Sequence, residues 1–134
     1  SDLRRGMKEH GIQNTIRNAL AGKCLLFRAN VGQAWTGSKV DKLPGNRVLI
    51  HGARPFSTGL PPGFSDLFGL VPVKVTPDMV GQTVGVFVAL EVKTETGKAS
   101  DGQERFLKAV NDNGGRGAVV RSPEDAMRAV DGAM

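Results

Sequence analysis

The sequence holds one cysteine, Cys24, in 134 residues. No internal disulfide can form, and a reducing compartment is the natural reading. It has no tyrosine and a single tryptophan, Trp35, so stacking on exposed bases is not expected to dominate any binding it does. The longest apolar run, the seven residues from Val84 to Leu90, is far short of a membrane span. The opening Ser-Asp-Leu-Arg-Arg-Gly leads into no apolar signal core. His10 and His51 lack the spacing of a zinc site, and no glycine-rich phosphate loop or nucleotide motif occurs. These absences describe a soluble cytoplasmic protein. Its length suits a single domain, residues 1–134, able to bury a core without disulfides or structural metal.

What is present is unevenly charged. Residues 1–58 hold ten lysines and arginines against three acids, or +7, while residues 59–134 hold eight against ten, or −2. A basic half points to a polyanionic partner, with nucleic acid first. Ordinary solubilising charge would look the same, so the question passes to a site.

Periodicity gives the scaffold. Ile12, Ile16 and Leu20 recur at helical spacing within Met7 to Ala21, which predicts an amphipathic helix. Glu9 falls on that stripe and should face inward, unless the helix frays there into solvent. Cys24–Arg28 reads as a short strand, with Cys24 in the core. Ala34–Val40 and Arg47–His51 can pair as a hairpin across Pro44-Gly-Asn46, which is strong turn chemistry. Phe64–Leu70 and Thr83–Thr94 read as core strands, the second buried on both faces. Ser100-Asp-Gly-Gln103 has capping-box form and opens a helix that Asn113-Gly-Gly stops. Ala118–Arg121 is a further strand, and Ser122-Pro-Glu-Asp125 caps a last helix. The order implies an α/β domain, a small central mixed sheet flanked by helices.

The apolar strand ends on Glu91-Val-Lys93. Residues two apart share a face, so Glu91 and Lys93 project together at the carboxyl end of a strand, where open α/β sheets hold ligands. A structural ion pair is the plain alternative. Asp66 opens the strand 64–70, and antiparallel pairing of 64–70 with 84–93 would bring Asp66 beside Glu91. Two carboxylates and a backbone carbonyl suit Mg²⁺ or Mn²⁺. Gln103 lies on the inner stripe of its helix, although its capping role is sufficient to explain it.

Taken in order, Glu9, Gly63-Phe-Ser-Asp-Leu67, Glu91-Val-Lys93-Thr94, Ser100-x-x-Gln103 and Asn113-Gly-Gly followed by Val119-Val resemble the virus-type replication-repair nuclease family, VRR-NUC, of the PD-(D/E)xK superfamily. The likeness runs from about residue 7 to 130. It departs at Ser65, where the family usually has proline, and it leaves the insertion at 34–56 unexplained. The resemblance implies a restriction-endonuclease-like core and a metal-dependent endonuclease. Asp66 and Glu91 would be metal ligands with the Val92 carbonyl as a third, Lys93 the catalytic lysine, and Glu9 and Gln103 supporting polar residues. It also implies DNA, branched or structured, as substrate, and a homodimer making two cuts in replication, recombination or repair.

Lys39, Lys42, Arg47 and Arg54 in the hairpin, with Arg4, Arg5 and Lys8 ahead of the first helix, are placed to contact phosphates without reading bases. The hairpin is either a dimerisation arm or a DNA contact. The competing class is a non-catalytic nucleic-acid-binding or assembly module whose acid cluster is an ion-pair network.

Overall fold

In the computed structural model the described residues are 2–131, with side chains from Lys8 onward. The side chains of Arg4 and Arg5 lie outside them. Helix α1 (Asp2–Leu20) leads to β1 (Leu25–Arg28), β2 (Gln33–Thr36), β3 (Lys39–Leu43), β4 (Arg47–His51), β5 (Arg54–Ser57) and β6 (Leu67–Leu70). Then come β7 (Val88–Val92), α2 (Asp101–Asp112), β8 (Arg116–Val120) and α3 (Pro123–Asp131). The chain is thus mixed α/β. The strands associate two by two, as β1–β6, β2–β5, β3–β4 and β7–β8. By compactness the chain divides into Phe27–Phe68 and the remainder.

In the larger unit β7 and β8 run parallel, in register from Val88↔Arg116 to Val92↔Val120. Parallel neighbours need a crossover, and α2 supplies it. Ser100 Oγ accepts from the Gln103 amide at 3.1 Å, and Gln103 Oε1 accepts from the Ser100 amide at 2.9 Å, which completes the capping box. At the other end the Gly115 amide donates to the Val110 carbonyl at 2.9 Å while Gly114 takes φ of +91°. That left-handed turn suits glycine and ends the helix. The sequence signals for α2 hold at both ends.

The core lies between α2 and β8. Val110 is fully buried, with Leu107 and Val120 beside it. Burying a valine side chain contributes about 1.5–3 kcal/mol, so α2 is held chiefly through this cluster. The approach is close: a Cβ on Gly117 would sit 2.9 Å from the Leu107 carbonyl oxygen. The Asn111 side chain donates to the Gly117 carbonyl at 3.0 Å and accepts from its amide at 2.9 Å, pairing with β8 as a strand residue would. Ser122 Oγ caps α3 by accepting from the Asp125 amide at 3.1 Å.

Several expectations are corrected here. Strand 84–93 is not buried on both faces: Ala89 and Glu91 are half-buried, while Val92 on the other face is 74% exposed. The pairing of 64–70 with 84–93 does not occur, since β6 pairs with β1 and β7 with β8. On the α1 stripe Ile12 and Ile16 face outward, 56% and 41% exposed, while Leu20 is half-buried. Glu9, expected inward, is exposed too. Cys24, expected in the core, is half-buried beside the end of α1, its thiol 3.9 Å from the Leu20 carbonyl.

The smaller unit is dominated by one hairpin. β3 and β4 pair from Lys39↔His51 to Leu43↔Arg47, and β2 and β5 pair from Gln33↔Ser57 to Thr36↔Arg54. Both pairs keep the same register, so no residue is gained on either side of the break at Gly37-Ser38. The predicted hairpin is therefore longer than 34–56 and carries two ribbons. Its turn uses positive φ at Gly45 and Asn46. Phe68 packs against Phe27 and Phe64, ring centroids 5.6 and 5.4 Å away.

Candidate active site

Glu91 and Lys93 stand at the carboxyl end of β7 on its half-buried face, as alternation requires. Lys93 Nζ lies 3.4 Å from Glu91 Oε1, with the two side chains 24% and 30% exposed. Gln103 Nε2 donates to the same oxygen at 2.8 Å. Because the Ser100 amide donates to Gln103 Oε1, the orientation of the Gln103 amide is fixed and its NH₂ must face the acid. Gln103 therefore does two jobs. It caps α2 and it anchors Glu91 near the positive end of that helix.

Both contacts to Glu91 fall on Oε1, and Oε2 makes none among the described residues. The donor chemistry is hard oxygen, which suits Mg²⁺ or Mn²⁺. Among the described residues no three of His, Cys, Asp and Glu gather to hold a metal ion.

Glu91, Lys93 and Gln103 thus come together. Asp66 belongs to the smaller unit, exposed immediately before β6, where its carbonyl accepts from the Ala29 amide at 2.9 Å. The pairing that was to set it beside Glu91 is absent. Glu9 is exposed on α1 and takes no part in the Glu91 contacts. Lys8, Lys39, Lys42, Arg47 and Arg54 are all exposed.

One contributor escaped the sequence reading. Arg121 follows β8, and its Nη1 donates to the carbonyls of Thr94, Glu95 and Gly97, the last at 2.6 Å. The loop after Lys93 is thereby tied to the end of the neighbouring strand. Its acceptors are all backbone carbonyls, so no residue pattern marks the contact. A cavity of about 660 Å³ lies elsewhere, lined in part by Val84–Phe87 ahead of β7 and by Asp112–Gly115 at the end of α2.

The sequence model of the VRR-NUC domain matches residues 9–124. The match spans the Glu91, Lys93 and Gln103 cluster and Asp66. No curated protein and no solved structure matches the chain.

Proposed function

The chain belongs to the VRR-NUC family, a nuclease-type domain of DNA replication and repair, and on that premise we propose that it is a metal-dependent endonuclease that cuts branched DNA as a homodimer. The observation that carries the reading is the meeting of Glu91, Lys93 and Gln103 at one strand end inside the matched span.

Glu91 is the proposed metal-holding carboxylate, through Oε2, with the Val92 carbonyl as a further ligand. Mg²⁺ needs only one or two carboxylates and keeps several waters, so a sparse acid set suits it. The ion, when bound, would polarise the scissile phosphate and acidify a water. Gln103 holds Glu91 by Oε1 and prevents the carboxylate from swinging away. Lys93, half-buried beside the acid, holds a positive charge where the phosphate gains negative charge in the transition state, and its ammonium can orient the attacking water. Glu9 is proposed as an outer water-holding residue. Exposed Lys8 joins the arm cations Lys39, Lys42, Arg47 and Arg54 in binding phosphates.

A symmetric junction needs two matched cuts, which a twofold pair of chains supplies. The second reading is the non-catalytic module, favoured by the Lys93–Glu91 ion pair itself, which is also what a structural network would contain. Incubation with supercoiled plasmid and branched DNA in Mg²⁺, Mn²⁺, Ca²⁺ or EDTA separates the two. Cutting in Mg²⁺ or Mn²⁺ alone supports the nuclease. Cutting that persists in EDTA with metal-free protein contradicts metal dependence, and no cutting under any condition supports the module. Light scattering of the protein with junction DNA should report two chains per junction; a strict monomer contradicts the dimer.

A further inference from the structure

The hairpin arm has both faces open. From Gln33 to Ser57 every residue except Gly37, Asp41 and Ile50 is exposed. A two-stranded ribbon standing alone is marginally stable in water, and this one displays large apolar groups, with Trp35 63% and Phe56 52% exposed. A partner is needed to cover them. Trp35 lies opposite Pro55, and Phe56 opposite Ala34, so the two rings stand on opposite faces of the β2–β5 ribbon. Arg54 is two residues from Phe56 and shares its face.

Charge decides the kind of partner. The arm holds Lys39, Lys42, Arg47 and Arg54, and its one acid is Asp41. That acid is engaged within the arm, with His51 Nε2 at 2.8 Å and Lys39 Nζ at 3.7 Å. A second copy would bring like charges together, which opposes pairing of arm with arm. A polyanion is attracted. A duplex hides the faces of its bases, whereas single-stranded nucleic acid offers phosphates and open bases together, which is what a ribbon of cations and free aromatic rings can take up.

We propose that the arm is a single-stranded DNA binding element. Trp35 and Phe56 stack on unpaired bases, and the four cations hold the flanking phosphates. The assignment rests on the nuclease reading only in taking DNA as the polyanion. It revises the expectation that stacking is unimportant, because the sole tryptophan stands open on the arm rather than in a core. Such an element would select branched substrates through their unpaired segments.

Trp35 is also the only tryptophan in the chain, so intrinsic fluorescence reports the contact directly. The full chain in EDTA is titrated with a short oligothymidylate and with a blunt duplex of equal length. The expected result is strong quenching by the oligothymidylate and little by the duplex. Trp35→Ala should weaken oligothymidylate binding about tenfold, followed by anisotropy of a labelled strand, whereas Trp35→Phe, which keeps a ring, should lose much less. Should Trp35→Ala fail to fold, Lys42→Gln with Arg54→Gln serves. That double variant should make the salt dependence of log K shallower by about 1.4 while leaving quenching at saturation intact. Equal binding of both probes without quenching overturns the proposal. So does a tryptophan signal that changes with protein concentration alone, since that places a second copy on the arm. Quenching by a protein that cuts no DNA supports the arm and removes the nuclease reading; cutting without quenching does the reverse.

Discussion

The Gln103 side chain bonds at both ends, accepting from the Ser100 amide at 2.9 Å and donating to Glu91 Oε1 at 2.8 Å. The start of α2 and the orientation of the candidate metal-holding acid are therefore set by one residue. A change that keeps the cap but removes the donor separates the two roles.

Gln103→Glu is that change. Glutamate serves a capping box as well as glutamine, so urea unfolding should move little. The new carboxylate, however, faces Glu91 as a like charge and offers no donor. Nuclease turnover should fall about 10- to 100-fold, the usual cost of losing a residue that orients a ligand. Gln103→Ala should lower both activity and stability, the latter by about 1 kcal/mol for the lost cap. Equal activity in Gln103→Glu and the parent would mean the Glu91 contact has no part in catalysis.

Arg121 gives a second test, because it touches the loop after Lys93 without contributing to the proposed chemistry. Arg121→Ala should reduce kcat about tenfold or more while leaving DNA affinity in EDTA unchanged. Hydrogen exchange at the Gly97 amide, which donates to Thr94, should accelerate. Arg121→Lys, with one ammonium in place of the planar guanidinium, should restore part of the rate. Unchanged exchange at Gly97 would show that the contacts to Thr94, Glu95 and Gly97 do not order the loop.

The packing of α2 on β8 can be tested apart from chemistry. Gly117→Ala places a methyl 2.9 Å from the Leu107 carbonyl oxygen, a backbone atom that cannot rotate away. A loss of about 1–3 kcal/mol in stability is expected, read by urea midpoint at constant m-value. No loss would mean that α2 stands further from β8 than described.

Local signals in the sequence were legible where neighbouring residues decide the outcome. Ser100 with Gln103, Asn113-Gly-Gly and Ser122-Pro123 each carry their structural instruction within a few residues: α2 begins and ends accordingly, and α3 begins accordingly. Glu91 and Lys93 were placed on one face by alternation alone. Strand partners were not legible, because pairing depends on contacts distant in sequence. β7 has the apolar content to suit any neighbour, and it takes β8 through the α2 crossover rather than β6. The inward reading of Glu9 failed for a related reason: a helical stripe records spacing, not whether anything lies against it, and α1 leaves Ile12 and Ile16 exposed. Arg121 was passed over because its three acceptors are backbone carbonyls, which no residue pattern announces.

The central claim is that Glu91 and Lys93 are catalytic rather than a structural pair, and one measurement addresses it most directly. Nicking of supercoiled plasmid in Mg²⁺ is compared for the parent chain, Glu91→Ala and Lys93→Ala, with Mn²⁺ affinity measured on each protein. Lys93→Ala should lose most turnover, about 100-fold or more, yet bind Mn²⁺ as well as or better than the parent, because a neighbouring positive charge is gone. Glu91→Ala should lose both activity and metal. Near-parental nicking by Lys93→Ala in Mg²⁺ would contradict the account and leave Lys93 as the counter-ion of Glu91.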